Sequence, residues 1–149
     1  MGTQAMMEKK PELDSESNNR ALIDALTPFA VRRTLEPGDV IFVEGAWPDG
    51  VYILERGSAD LLFSGRGEHT PHRIDAGTIL GLSSMVSERA HEYTATAVDR
   101  AMVAFVSRTT FFKILGESPA HWFDVLKILS LDIGSCYDRV RELSMRRGR

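Results

Sequence analysis

Three observations predict a mainly β domain with flanking helices. Between Val31 and Ser107, short runs rich in Val, Ile, Leu, Phe, Tyr and Thr alternate with turn residues at short, regular intervals. Before and after that region the apolar residues recur at helical spacing instead. Eight such runs with Gly/Pro punctuation predict a closed or double-sheet antiparallel architecture: a sandwich, a barrel or a jelly roll.

Residues 1–18 are polar, contain Pro11, and read as a mobile lead-in. Leu22, Ile23, Leu26 and Phe29 then form one apolar stripe. They predict a helix from Asn19 to Phe29, with Asn18 or Asn19 as N-cap and Pro28 loosening the last turn. Strands are predicted at Val31–Leu35, Val40–Val43, Gly50–Glu55, Ala59–Ser64, His72–Ile74, Thr78–Leu80, Glu92–Val98 and Ala101–Val106. The segments between them include Pro37–Asp39, Glu44–Gly50, Glu55–Gly57 and Ser64–Glu68. There Pro presets φ and Gly supplies positive φ, so a turn has a mechanical cause.

After Ser107 the helical period returns. Thr109–Leu115 predicts a short helix ending at Gly116, and Ser118 then caps a long one with Pro119 at its first position. Along that helix Trp122, Leu126, Leu129, Ile133, Cys136, Val140 and Leu143 are spaced 4, 3, 4, 3, 4, 3. This unbroken heptad predicts a parallel homodimer seam. Phe123, Val125, Ile128 and Tyr137 widen the stripe, so part of the helix is expected to pack on its own β domain. The expected organisation is a lead-in (1–18), a β domain (19–116), a coiled-coil-like helix (117–145) and a basic tail (146–149).

The segment Gly77–Ala97 (GTILGLSSMVSERAHEYTATA) organises the chain. A short strand breaks at Gly81, one helical turn starts near Ser83 and Ser84, and a charged loop leads to the next strand. A helix N-terminus leaves backbone N–H groups unpaired and carries partial positive charge, so this break is a candidate anion cradle. An ordinary strand-to-strand turn is the competing reading.

Composition bounds the function. The chain is 43% hydrophobic and 26% charged with a net charge of −3, which argues against nucleic-acid binding over the whole surface. Only the C-terminal end, with Arg139, Arg141, Arg146, Arg147 and Arg149, is basic. No apolar run suits a membrane span or a signal peptide. A single cysteine, Cys136, excludes a disulfide framework and a four-cysteine cluster, and makes a cytoplasmic location the default. His69, His72, His91 and His121 do not form a cupin-like ligand set, so no metal is expected. Ser83, Ser84 and Ser87 lack the second glycine of a nucleophile elbow, so no enzyme activity is expected.

The segments PGDVIFVEGAWPDGVYILERG (Pro37–Gly57) and GTILGL (Gly77–Leu82), with the FFKIL helix from Phe111 onward, resemble a cyclic-nucleotide-binding domain of the catabolite activator (Crp/Fnr) type. The series Gly38, Gly45, Gly50, Gly57, Gly77 and Gly81 matches the turn glycines of that family. The resemblance runs from Asn19 to Leu143. It implies an eight-stranded antiparallel double-stranded β-helix (jelly roll), a phosphate-binding cassette between the sixth and seventh strands, and a long C-terminal helix that lids the pocket and pairs with its twin.

Departures from the family pattern shape the functional expectation. Nucleotide-binding members follow the cassette glycine with a Glu for the ribose; here Leu82 follows Gly81. Their phosphate-binding Arg corresponds to the register His91, Glu92 or Tyr93, and Arg89 lies slightly early. The base-contacting hydroxyl residues of the lid helix correspond to Cys136 and Tyr137. Losing a carboxylate and a guanidinium removes charge-assisted hydrogen bonds, the strong ones. High-affinity cAMP binding is therefore disfavoured, and the ligand is unidentified.

The candidate pocket comprises Gly81, Leu82, Ser83, Ser84, Arg89, His91, Glu92, Tyr93, Thr94, Cys136 and Tyr137. Only six residues follow Leu143, so no winged-helix DNA-binding domain is expected in this chain. Two readings remain: a sensor of a small molecule that shifts the helix pair, or a dimerising scaffold for a protein partner. Membrane partners are not expected.

Overall fold

The computed structural model describes residues 19–64 and 71–130. The lead-in, the tail, and the expected positions Ile133, Cys136, Tyr137, Val140 and Leu143 lie outside the described residues. Among the described residues eight strands form two four-stranded antiparallel sheets. They are β1 (Val31–Leu35), β2 (Val40–Phe42), β3 (Gly50–Arg56), β4 (Ser58–Leu62), β5 (His72–Asp75), β6 (Thr78–Leu80), β7 (Thr94–Ala97) and β8 (Ala101–Ser107). One sheet runs β1-β8-β3-β6 and the other β2-β7-β4-β5, the double-wound order of a jelly roll.

Helices cover the first sheet: α1 (residues 19–26), α2 (Leu82–Ser87), α3 (Arg108–Glu117) and α4 (residues 119–130). The β1-β8-β3-β6 sheet is thus the middle layer of three. Its central strands bury both faces. From β3 and β8, Val51, Ile53, Ala104 and Val106 join Leu22, Leu26, Phe111, Leu115 and Val125 in a core on the helix side. On the opposite face Leu54, Ala101 and Val103 meet Ile41, Phe42, Leu61 and Ala95 between the sheets. This double burial explains why GVYILE and AMVAFV read as continuous apolar runs without alternation. Packing is tight where β3 begins: a Cβ on Gly50 would lie 2.1 Å from the Val106 carbonyl oxygen, so only glycine fits.

Three local expectations are corrected. The helical stripe stops at Leu26. Thr27–Phe29 is a single 3-10 turn with Pro28 near its start, and Phe29 is 60% exposed rather than buried. Because proline lacks the N–H that continues a helix, the stripe's last residue rotates out of register. The helix after β8 does not end at Gly116 but runs Arg108–Glu117. The Ser107 side chain caps its start by accepting a hydrogen bond from the Thr110 N–H. β7 begins at Thr94, leaving Glu92 and Tyr93 in the preceding bend. Pro119 opens α4 directly after Ser118, as its fixed φ favours.

Phe111 is fully buried where helices and sheet meet. Phe111→Ala should cost about 3–5 kcal/mol in urea unfolding. Phe29→Ala, at an exposed site, should stay within about 0.5 kcal/mol.

Candidate functional site

The strand–helix break is built on Gly81, whose φ of 82° lies in the left-handed region that favours glycine. It turns the chain from β6 into α2, and no side chain caps that helix start. The first helical residues point their N–H groups outward by geometry. Leu82, Ser84 and Met85 face inward and are buried; Ser83 is exposed, its carbonyl accepting the Ser87 hydroxyl at 2.7 Å. The far end closes at Glu88, itself left-handed at φ 55°, and the Arg89 N–H bonds the Ser84 carbonyl at 3.1 Å.

Opposite Gly81 stand two rings. His91, 4% exposed, stacks on Phe42 with ring centroids 3.9 Å apart and planes 15° apart. Its Cε1 would lie only 3.2 Å from a Cβ added to Gly81. The loop after β2 clamps its backbone: the Gly45 N–H donates to the His91 carbonyl at 2.8 Å, and the His91 N–H to the Ala46 carbonyl at 2.9 Å. Tyr93 accepts a long hydrogen bond from the Gly81 N–H at 3.4 Å and tilts against both Phe42 and Phe63. The Phe42 ring also meets Tyr52, which meets Phe105. An aromatic chain from Phe63 to Phe105 therefore runs between the two sheets.

Of the expected pocket residues, the fold gathers Gly81, His91 and Tyr93. Thr94 sits one step away, its hydroxyl accepting the Glu44 N–H at 2.9 Å. Leu82, only 3% exposed, belongs to the helix-side core, and Ser84 is buried beside it. Arg89 and Glu92 are exposed on the loop, and Arg89 makes no salt bridge among the described residues. Sequence reasoning missed Phe42 and the Gly45–Ala46 clamp, because a stacking partner 49 residues away leaves no local signal. It also missed Arg108. Its guanidinium donates to Glu88 at 2.7 Å and lies over the Phe112 ring, so it ties the end of α2 to the start of α3. The cue was present in part: Arg108 directly follows the capping Ser107.

Electrostatics at the site are set by burial. Desolvation pushes the His91 imidazole below its ordinary value, with Asp49 pulling weakly the other way. Its Nδ1 has no hydrogen-bond partner among the described residues, a cost of about 1–3 kcal/mol for a buried polar atom. Tyr52 is pushed up by burial, against the nearby Arg33. No group of three His, Cys, Asp or Glu side chains is arranged to hold a cation among the described residues, and His72 is exposed on β5. No helix among them is long and apolar enough to cross a membrane.

The fold is a double-wound roll whose sixth strand breaks at a left-handed glycine into a short helix. The chain belongs to the cyclic nucleotide-binding domain family, whose model matches residues 32–118, more than half of its length. It is 28% identical over 110 residues to a cAMP-dependent protein kinase regulatory subunit of Yarrowia lipolytica, covering 74% of this chain and 28% of that protein. It therefore spans little more than a quarter of that relative.

The Thermus thermophilus catabolite activator protein superposes with a TM-score of 0.74 at 18% identity, over 83% of this chain and 59% of that one. A transcriptional regulator from Thermotoga maritima superposes with a TM-score of 0.73 at 16% identity, over 83% and 98%. At such identities the likeness is one of fold, and the fold is that of the catabolite activator type.

The direction of the His91 shift sets a pH dependence. Above its ordinary value of 6.5 the imidazole is neutral in both folded and unfolded chains. Below it the unfolded chain takes up the proton more readily, so stability falls as pH drops from 6.5 through the lower folded value. Urea midpoints measured across this range should show that loss. His91→Phe, which keeps a ring on Phe42, should flatten it.

Proposed function

We propose that the chain is a regulatory sensing module rather than an enzyme, acting in the cytoplasm, with a degenerate phosphate-binding cassette that does not bind cAMP with high affinity. The observation that carries this reading is what surrounds Gly81. The residue after it is Leu82, buried in the helix-side core, and the groups facing it are an imidazole and a phenol. Among the described residues, the groups found against Gly81 include neither a carboxylate for a ribose nor a guanidinium for a cyclic phosphate. Each missing charge-assisted bond is worth about 1.5–3 kcal/mol. The polar groups that remain, Ser83, Tyr93 and Thr94, support binding of some other small molecule.

The proposal includes the division into lead-in (1–18), roll (19–116), long helix (117–145) and tail (146–149). It also includes signal output through the long helix. Arg108 supports that output, since it joins the loop closing the cassette helix to α3, which leads into α4. Pairing with a second copy is supported by α4 itself. Phe123 and Leu126 are 63% and 54% exposed, and with Leu115, Gly116, Pro119 and Trp122 they line a shallow apolar groove of about 240 Å³. Trp122 and Leu129 pack partly on the chain's own core, so among the described residues of the expected seam Leu126 is the exposed one. The ring-filled space between the sheets favours a second reading, a ligand-free scaffold for a protein partner.

Calorimetric titration of the full chain with cAMP, cGMP and cyclic dinucleotides tests the sensor reading. For cAMP no nanomolar binding is expected, and nanomolar affinity would overturn the degenerate cassette. A true ligand at 100 times its Kd should add about 2.7 kcal/mol to stability, whereas silence from every compound leaves the scaffold. In sedimentation the chain should be a dimer at micromolar concentrations, and Leu126→Glu should shift it toward monomer while leaving the fold intact. A wild-type monomer would sink the pairing. Arg108→Ala should cost no more than about 1 kcal/mol, since Glu88 is largely exposed.

A further inference from the structure

His91 is held from three sides. Phe42 supports one face of its ring, Gly81 lies against its Cε1–Nδ1 edge, and the Gly45–Ala46 loop grips its backbone through two hydrogen bonds. A solvated loop histidine needs none of this. Burying an imidazole with Nδ1 unpartnered is unfavourable in itself, so the ring's position has to be stabilised by the fit of its faces. That fit depends on Gly81 in two ways: φ of 82° makes the turn, and the absence of a Cβ lets the ring approach. The ring therefore stands against the residue where, on the cassette reading, an anion would meet the helix start.

We infer that His91 is an internal stopper of the ligand pocket: its imidazole, stacked on Phe42 and laid against Gly81, fills the slot that a ligand must enter. The inference rests on the cassette reading above. It goes further by assigning the selectivity of that site to one side chain. A ligand gains access only when the ring leaves Phe42, and the slot it vacates is the size of its own imidazole, which free imidazole can refill. Tyr93 stays behind as the neighbour of the Gly81 N–H. The stopper is not a loop motion, because the clamp at Gly45 and Ala46 holds the backbone while the side chain swings.

The test uses the full chain with free imidazole and cAMP as probes. His91→Ala should bind cAMP at least about tenfold more tightly than wild type, and millimolar imidazole should reverse that gain by refilling the slot. Imidazole should raise the melting temperature of this variant and leave wild type unmoved. His91→Phe keeps the slot filled and should bind no better than wild type. An Ala variant that folds but gains no cAMP affinity, or a Phe variant that gains as much as Ala, overturns the stopper.

Should His91→Ala refold only with imidazole present, the slot is supported; if imidazole rescues neither folding nor stability, the slot is refuted. These outcomes are independent of the wild-type titration. Tight cAMP binding by wild type would remove the degenerate-cassette reading, and the ratio between variants would still decide the role of His91.

Discussion

The structure depends on two strands that bury both faces. β3 and β8 lie at the centre of the helix-covered sheet, paired from Gly50↔Ser107 to Arg56↔Met102. Their alternate side chains feed two separate cores: Val51, Ile53, Ala104 and Val106 toward the helices, Leu54, Ala101 and Val103 toward the second sheet. Because side chains alternate with a period of two, a one-residue slip would exchange the two sets. The exchange would set Tyr52 and Phe105 against the helices. Register here therefore fixes both the helix layer and the aromatic chain between the sheets.

That constraint reaches the site through the ends of the same strands. Gly50 opens β3 under the Val106 carbonyl, and its own carbonyl lies 3.6 Å from where a Gly81 Cβ would be. β6 pairs with β3 through Tyr52↔Leu80, which delivers Gly81 to the sheet's edge. β8 ends at Ser107, whose side chain starts α3. α2 and α3 thus leave from the ends of β6 and β8, which flank the start of β3. Met85, buried in the helix-side core, also meets the Arg108 guanidinium, with Nη1 3.6 Å from its sulfur. Met85 lies within α2 and Glu88 closes it, so Arg108 holds both the body and the end of that helix.

Much of this was legible in the sequence, for local reasons. Positive-φ turns need glycine, and Gly38, Gly45, Gly57, Gly77 and Gly81 all have it. The eight strands, the helix after Ser107 and the Pro119 start followed from punctuation and period. So did the family, through the segments around Pro37–Gly57 and Gly77–Leu82. What escaped was non-local or cooperative. Phe29 fits a helical stripe, but a 3-10 turn at Pro28 carries it outward. Gly116 looked like a stop, yet packing of Phe111, Ile114 and Leu115 carries α3 through it. The stack of His91 on Phe42 has no sequence signature at all, since it exists only once β2 and the loop before β7 meet.

The aromatic chain bears directly on the proposal of a degenerate cassette around Leu82 and His91. A cassette that merely lost its charged groups would leave a polar hollow between the sheets, and such a hollow is filled by water or collapses. Here Phe42, Tyr52, Phe63, Tyr93 and Phe105 meet ring to ring through that space, with His91 closing its end. Aromatic contacts of this kind add about 0.5–1.5 kcal/mol each beyond the area they bury. Side chains therefore occupy the space between the sheets. A nucleotide domain that is loose when empty gains order from its ligand; one whose interior is already packed must exchange contacts for contacts. On the proposed reading, binding would displace a ring rather than fill a void, so its affinity would be a difference between two packed states.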